Sequence, residues 1–236
     1  MATTSNVVTK PMPMRSAALL EVLAVVLVAY GTRRLLQYWG AGFAGGASST
    51  ILAVLLSAWL LRRRGGSWAD LGLKRPAKPG SAASWTVALF LVALLVVPAV
   101  SAVIGNALHF PAQHLEIFAR LQGNLGLYLV LLIPVTWGTA AFGEELVCRG
   151  FIMRRLGDAL GGSGAAEFGA LLGQAVLFGL AHGYLGPRGM LNAGALGLLF
   201  GCCYQLSGRN LWPLFVAHGL VDTVGITMLY LGLAHG

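Results

Sequence analysis

Several stretches of this chain, among them 84–107, 125–142 and 211–233, stay apolar for close to the ~20 residues that a helix needs to cross the hydrocarbon core of a bilayer. A chain in lipid must satisfy its own backbone N–H and C=O groups, which leaves helices or closed barrels, and runs of this length without strand alternation predict helices. The chain is 57% hydrophobic, above the roughly 45–50% of soluble domains, and no soluble core of this size could hide that much. The expected fold class is all-α, a polytopic membrane helical bundle of about seven transmembrane helices, at 16–30, 48–61, 84–107, 125–142, 165–182, 190–206 and 211–233. Residues 1–15 read as a cytoplasmic tail and 16–236 as one transmembrane domain. Glu21 interrupts the first run and no small-residue cleavage site follows Tyr30, which predicts a retained span in place of a signal peptide.

The formal net charge of +8 must be read in that setting. The basic residues cluster at the ends of apolar runs, where they meet headgroups, so the lipid bilayer is the expected partner and nucleic acid is not. Seven spans leave Arg33, Arg34, Arg120 and Arg188 on one side and the other twelve of the 16 basic residues opposite. The positive-inside rule then puts the N-terminus in and the C-terminus out of the cytoplasm of a multi-pass protein of the cell (plasma) membrane. The segment 67–76 is amphipathic and carries Trp68, which predicts a short helix lying in the interface. Pro98 is expected to kink the third span. Gly169/Gly173 and Gly197/Gly201 form small-residue patterns that permit close helix approach. Cys148, Cys202 and Cys203 have no metal-pair spacing and read as small buried residues, and His109, His114 and Glu116 read as solvated loop groups.

Only 10% of the residues are charged, yet Glu144, Glu145 and Arg149 sit at the inner end of the run 125–142. Ionisable groups at that depth are costly and mark a functional site by default. Positions four apart on a helix nearly superpose, so Glu145 is expected to pair with Arg149 at the rim of a cavity while Glu144 points elsewhere. Three further polar groups fall in later spans: His182, then His218 and Asp222 one turn apart. At 1.5 Å per residue, Glu144 and His182 lie ~18 and ~25 Å from the 157–164 turn, and His218 ~10–12 Å from the 207–210 turn on the same side. Tilted helices can bring them around one cavity. A carboxylate beside a histidine activates water, and a second histidine hydrogen-bonds a developing oxyanion. The set also offers ligands for a divalent metal such as Zn2+, through Glu144, His182 and His218, although no HExxH motif is present. The remaining alternative is a set of interhelical hydrogen bonds and a salt bridge that only fix packing.

In order and in separate helices, Glu144-Glu145-x-x-x-Arg149, Phe178-x-x-x-His182 and His218-x-x-x-Asp222 resemble the motifs of the CPBP family of intramembrane proteases. That family includes CAAX prenyl endopeptidases and bacteriocin-processing or immunity proteins, and the resemblance covers about 125–229. It implies catalytic roles for Glu144, His182, His218 and Asp222, with Glu145 and Arg149 supporting them. Glu144 would activate water with His182, and His218 would serve the oxyanion. Many prenyl-processing members have an asparagine where this chain has Asp222. An ionised carboxylate cannot donate to an oxyanion, so Asp222 is expected to orient His218 or bind a metal. The expected activity is endoproteolysis of a membrane-associated, CAAX-type prenylated or exported peptide, near the cytoplasmic half of the bilayer. The competing readings are a non-catalytic immunity or scaffold protein and a proton-coupled transporter.

Overall fold

The computed structural model describes residues 15–40 and 43–234, so that of the tail expected at 1–15 only Arg15 is among them. Seven long helices carry the fold and no strand is present among the described residues: α1 (Arg15–Tyr38), α2 (Phe43–Arg63), α3 (Pro79–Ala107), α4 (Leu125–Leu160), α5 (Gly164–Ala181), α6 (Gly186–Leu206) and α7 (Trp212–Tyr230). Local chemistry sets their ends. Asn124 Oδ1 accepts from Leu127 N at 3.0 Å, and Ser163 Oγ accepts from Ala166 N at 3.2 Å, each satisfying one of the free N–H groups of a helix start. Asn210 Oδ1 accepts from Trp212 N at 3.0 Å, just ahead of Pro213 in the first turn of α7.

Helices α2 to α7 are each long and apolar enough to cross a membrane. Helix α1, which carries Glu21, Arg33 and Arg34, is not among these six. Its packing nevertheless gives it the same height as its neighbours. Arg15 lies against Gly161 at one end of the bundle, and Tyr30 and Arg33 donate to the Leu177 and Ala181 carbonyls of α5 towards the other. The polar side chain that weakens α1 as an apolar run is satisfied internally. Glu21 accepts from Arg64 Nε at 2.6 Å and from Arg155 Nε at 2.8 Å, and Arg155 also pairs with Asp158. Glu21 is thus an inward contact that ties α1 to the ends of α2 and α4.

Two apolar clusters share α4. Leu146 and Met153 pack with Leu171 of α5, Phe200 and Tyr204 of α6 and Leu214 of α7, while Val147, Phe151 and Ile152 pack with Val22 and Val25 of α1 and Ala53 of α2. The outside of the bundle is apolar too, with Leu27 69% and Val103 70% exposed, as lipid-facing positions should be. Both small-residue patterns mediate contacts. A Cβ on Gly201 would stand 2.5 Å from Leu171 Cδ1 and one on Gly197 3.1 Å from Ala175 Cα, so α6 lies close on α5. Gly169 and Gly173 meet Leu160 and Leu156 of α4.

Three local features depart from simple helix arithmetic. Helix α4 is wound in wide, π-type turns over Leu131–Glu144 and Leu146–Ile152, with Pro134 inside. Proline removes an N–H and crowds the preceding turn, and widening the helix relieves both. In α3 the wide turn falls at Val92–Val96, just ahead of Pro98. The segment around Trp68 forms a short 3-10 helix, Trp68–Leu71, docked on protein and not only on the interface. Tyr204 Oη donates to Leu71 O at 2.8 Å, Leu211 N donates to Gly72 O at 3.1 Å and Asn210 Nδ2 donates to Lys74 O at 3.0 Å. Gly72 has φ +100°, and a Cβ there would collide with the Arg209 carbonyl, so the docking requires glycine.

The orientation read from charge has a direct check. A reporter inserted at Gly161 should respond as cytoplasmic and one at Gly123 as extracytoplasmic. A pair at the N-terminus and at Gly40 should fall on opposite sides if α1 crosses. Like responses from Gly161 and Gly123 would overturn the span order.

Candidate active site

The chemistry of this site begins with charge that lipid does not tolerate. Glu145 and Arg149 are 0% and 1% exposed, and Arg149 Nη1 donates to Glu145 Oε1 at 2.7 Å. The sequence expectation of a pair is met, but its place is not the rim of the cavity: it lies in the core between α4, α5 and α6. Arg149 Nη2 reaches Gly197 O at 3.3 Å, and the guanidinium lies over the Phe178 ring at 4.5 Å and near Phe200 at 5.3 Å. Gln174 Nε2 donates to the same Gly197 carbonyl at 2.8 Å. Such ring faces and carbonyls are what a desolvated guanidinium requires.

The same Glu145 oxygen takes a second donor. His218 Nδ1–H donates to Glu145 Oε1 at 2.8 Å, its Nε2 stands 3.5 Å from Asp222 Oδ2, and Phe200 packs edge-on against the ring at 5.5 Å. The imidazole is therefore fixed in rotation by a carboxylate on each side. Its neighbour on α5 is fixed differently. His182 ends α5, and its Nδ1 lies 2.8 Å from Phe178 O. A carbonyl only accepts, so Nδ1 carries a proton, and in the neutral imidazole the lone pair that a base needs is on Nε2.

Glu144, one residue before the buried pair, enters no ion pair among the described residues. It lines a cavity of about 500 Å³ together with His182, His218 and Asp222. All four residues marked as catalytic by the motifs thus face one space, while Glu145 stands behind it. A recess of about 90 Å³, walled by Val26, Ala53, Val147 and Leu177, also touches Glu144 and His182. The cavity wall runs from His218 to Leu229 along α7, to Leu131 along α4, and to Leu115 and Phe118 of the loop. It occupies the end of the bundle away from the Gly161 turn. The orientation expected from the charge count would put that end outside, whereas the site is expected near the cytoplasmic half, so the two expectations do not both hold.

No group of three His, Cys, Asp or Glu side chains among the described residues stands close enough to hold a metal ion. The donors do not fit the Zn2+ set expected of Glu144, His182 and His218, because both ring nitrogens of His218 are turned to the carboxylates of Glu145 and Asp222. His109, His114 and Glu116 are not among the cavity's lining residues. Sequence reasoning missed Arg33, Gln174, Tyr184 and Asn192. Gln174 and Asn192 were visible as polar residues inside apolar runs, whereas Arg33 looked like an ordinary flanking charge.

Removing one partner of a buried pair leaves the other charge uncompensated, which costs ~3–5 kcal/mol, against ~0–1 kcal/mol for an exposed pair. Arg149→Ala should therefore lower the detergent melting temperature sharply and abolish activity. Exchanging residues 145 and 149 should restore neither, because His218 would then face a cation. An unchanged melting temperature for Arg149→Ala would contradict the burial of the pair.

Residues 125–224 match the family model described as Rce1-like, type II CAAX prenyl endopeptidase. No curated protein and no solved structure matches the chain. The matched stretch holds the buried Glu145–Arg149 pair and all four cavity residues of the three motifs. The resemblance of the three motifs and the matched model agree: over residues 125–224 this polytopic membrane protein is similar to the Rce1-like family, type II CAAX prenyl endopeptidases.

Proposed function

We propose that the protein is an intramembrane endopeptidase in which Glu144 and His182 activate the water that hydrolyses a peptide bond. The observation that carries this reading is the pairing, on one cavity, of a carboxylate free of ion pairs with a histidine whose tautomer leaves Nε2 unprotonated. Water held between them gives up a proton as its oxygen attacks the scissile carbonyl carbon. The proton passes to the base and then to the leaving amine, so the C–N bond breaks as the tetrahedral intermediate collapses. The developing oxyanion needs a donor, and His218 is the candidate. Asp222, when ionised, only accepts hydrogen bonds, and its 3.5 Å approach to His218 Nε2 supports an orienting role. Glu145 and Arg149 hold His218 from behind and do not touch substrate.

Two substrate classes each have a specific observation in their favour. The family description favours a prenylated CAAX-type peptide, and the apolar recess beside Glu144 suits an aliphatic group. The charge count, which puts the cavity end outside the cytoplasm, favours an exported peptide in a plasma-membrane protein. A binding-only immunity or scaffold protein, and a proton-coupled transporter, would use the same polar groups without bond cleavage.

Single-turnover cleavage by Glu144→Gln, His182→Ala and the double variant separates these. A general base is worth ~10²–10⁴ in rate, and Glu144→Gln should lose at least that while still binding peptide. Residues acting as one unit are strongly non-additive, so the double variant should be little worse than either single. Multiplicative losses, or a Glu144→Gln protein within a few-fold of the parent, would remove Glu144 as the base.

A further inference from the structure

Several cations of this bundle are neutralised by carboxylates. Arg149 has Glu145, Arg155 has Glu21 and Asp158, and Arg64 has Glu21. Arg33 has no carboxylate within ion-pair distance among the described residues, yet it is the one lysine or arginine that lines the 500 Å³ cavity, and it lines the smaller recess as well. Its guanidinium is held by neutral groups: Nη1 donates to Ala181 O at 3.1 Å, and the plane lies over the Tyr184 ring at 4.2 Å. That ring in turn packs against His182 at 5.8 Å. A half-buried guanidinium spends five donors poorly on one carbonyl and one ring face, and its planar fork matches a carboxylate in two parallel hydrogen bonds. The two acidic side chains on the same cavity, Glu144 and Asp222, do not supply that partner. The missing anion is therefore one that arrives with a ligand.

We infer that Arg33 binds the free C-terminal carboxylate of the peptide substrate; this rests on the endopeptidase reading. Its hold on Ala181 and Tyr184, on either side of His182, puts the anion site next to the proposed base. An extended chain advances about 3.3–3.6 Å per residue, so a peptide anchored at Arg33 offers Glu144 and His182 a bond within its last few residues. The site would thus select C-terminal trimming over internal cleavage. Glu144 and Asp222, facing the same space, disfavour an acidic residue at the scissile bond itself.

The test uses the full-length protein in lipid nanodiscs and three peptides of one sequence: a free acid, a C-terminal amide, and an amide whose last residue is Glu. Cleavage is measured for the parent, Arg33→Gln and Arg33→Lys, and binding is measured on Glu144→Gln. A charge-assisted contact predicts that the parent prefers the free acid by about 10–100-fold, mostly in KM. Arg33→Gln should lose that preference by slowing the acid far more than the amide, and Arg33→Lys should keep part of it. Equal handling of acid and amide by the parent would overturn the inference. So would Arg33→Gln slowing both peptides alike, which would mark Arg33 as only holding the 181–184 turn. The Glu-terminated amide binding as tightly as the free acid, or phosphatidate in the nanodisc competing as well as the acid, would mean a general anion site and also overturn it. Absence of any cleavage would count against the endopeptidase reading alone, since the acid-over-amide preference is read separately in binding to Glu144→Gln.

Discussion

Everything around the cavity of this bundle depends on where the Arg149 charge goes. A guanidinium 1% exposed in a membrane protein is tolerable only if its surroundings replace water, and here they do so from three helices. Glu145 supplies the opposite charge, Gly197 a carbonyl, and Phe178 and Phe200 two ring faces. These contacts explain why α6 must lie so close to α5. Gly197 and Gly201 leave no side chain at the crossing, so that the Gly197 carbonyl can reach Arg149 and Gln174 together. The charge pair and the small-residue pattern are therefore one device.

That device also sets the site. Because Glu145 Oε1 accepts from both Arg149 and His218, the position of α7 is coupled to the core of α4 through a single carboxylate oxygen. His218 is held from behind and from the side by Asp222, while His182 is held by the backbone of its own helix. Glu144 alone among these groups enters no ion pair or hydrogen bond among the described residues. The adjacent pair Glu144-Glu145 thus sets a held carboxylate beside a free one, with Glu145 in the core and Glu144 on the cavity.

The polar groups divide the bundle along its length. At the end carrying the Gly161 turn, the Glu21, Arg64, Arg155 and Asp158 knot closes the helices together. At the opposite end the helices part around the cavity, and α1, α4, α5, α6, α7 and the Leu115–Leu121 segment each lend part of its wall. Tight packing at one end and a hollow at the other is the arrangement that allows substrate entry without loosening the fold. The direction of entry follows from the membrane orientation, and with it the choice between an exported and a cytoplasmic peptide.

The amino-acid sequence by itself determined that the chain crosses a membrane as a helical bundle, because length and hydropathy are additive properties of each segment. It also singled out the residues proposed to carry the chemistry, because Glu144, Glu145, Arg149, His182, His218 and Asp222 are conspicuous in a chain so poor in charge, and three ordered motifs contain them. Only the tertiary structure decided what each touches. The wide turns around Pro134 changed the facing of Glu144 and Glu145, so that regular helix spacing found the pair with Arg149 but put it at the rim and not in the core. The link from His218 to Glu145 spans 73 positions in sequence, and no periodicity encodes a contact between helices. The span at α1 was legible as an apolar run, but Arg64 and Arg155, the partners that satisfy its Glu21, were not, because they lie far along the chain. For the same reason Arg33 read as a flanking charge: whether a cation meets lipid headgroups or a cavity depends on the neighbours that folding brings to it, and those are not written next to it in the chain.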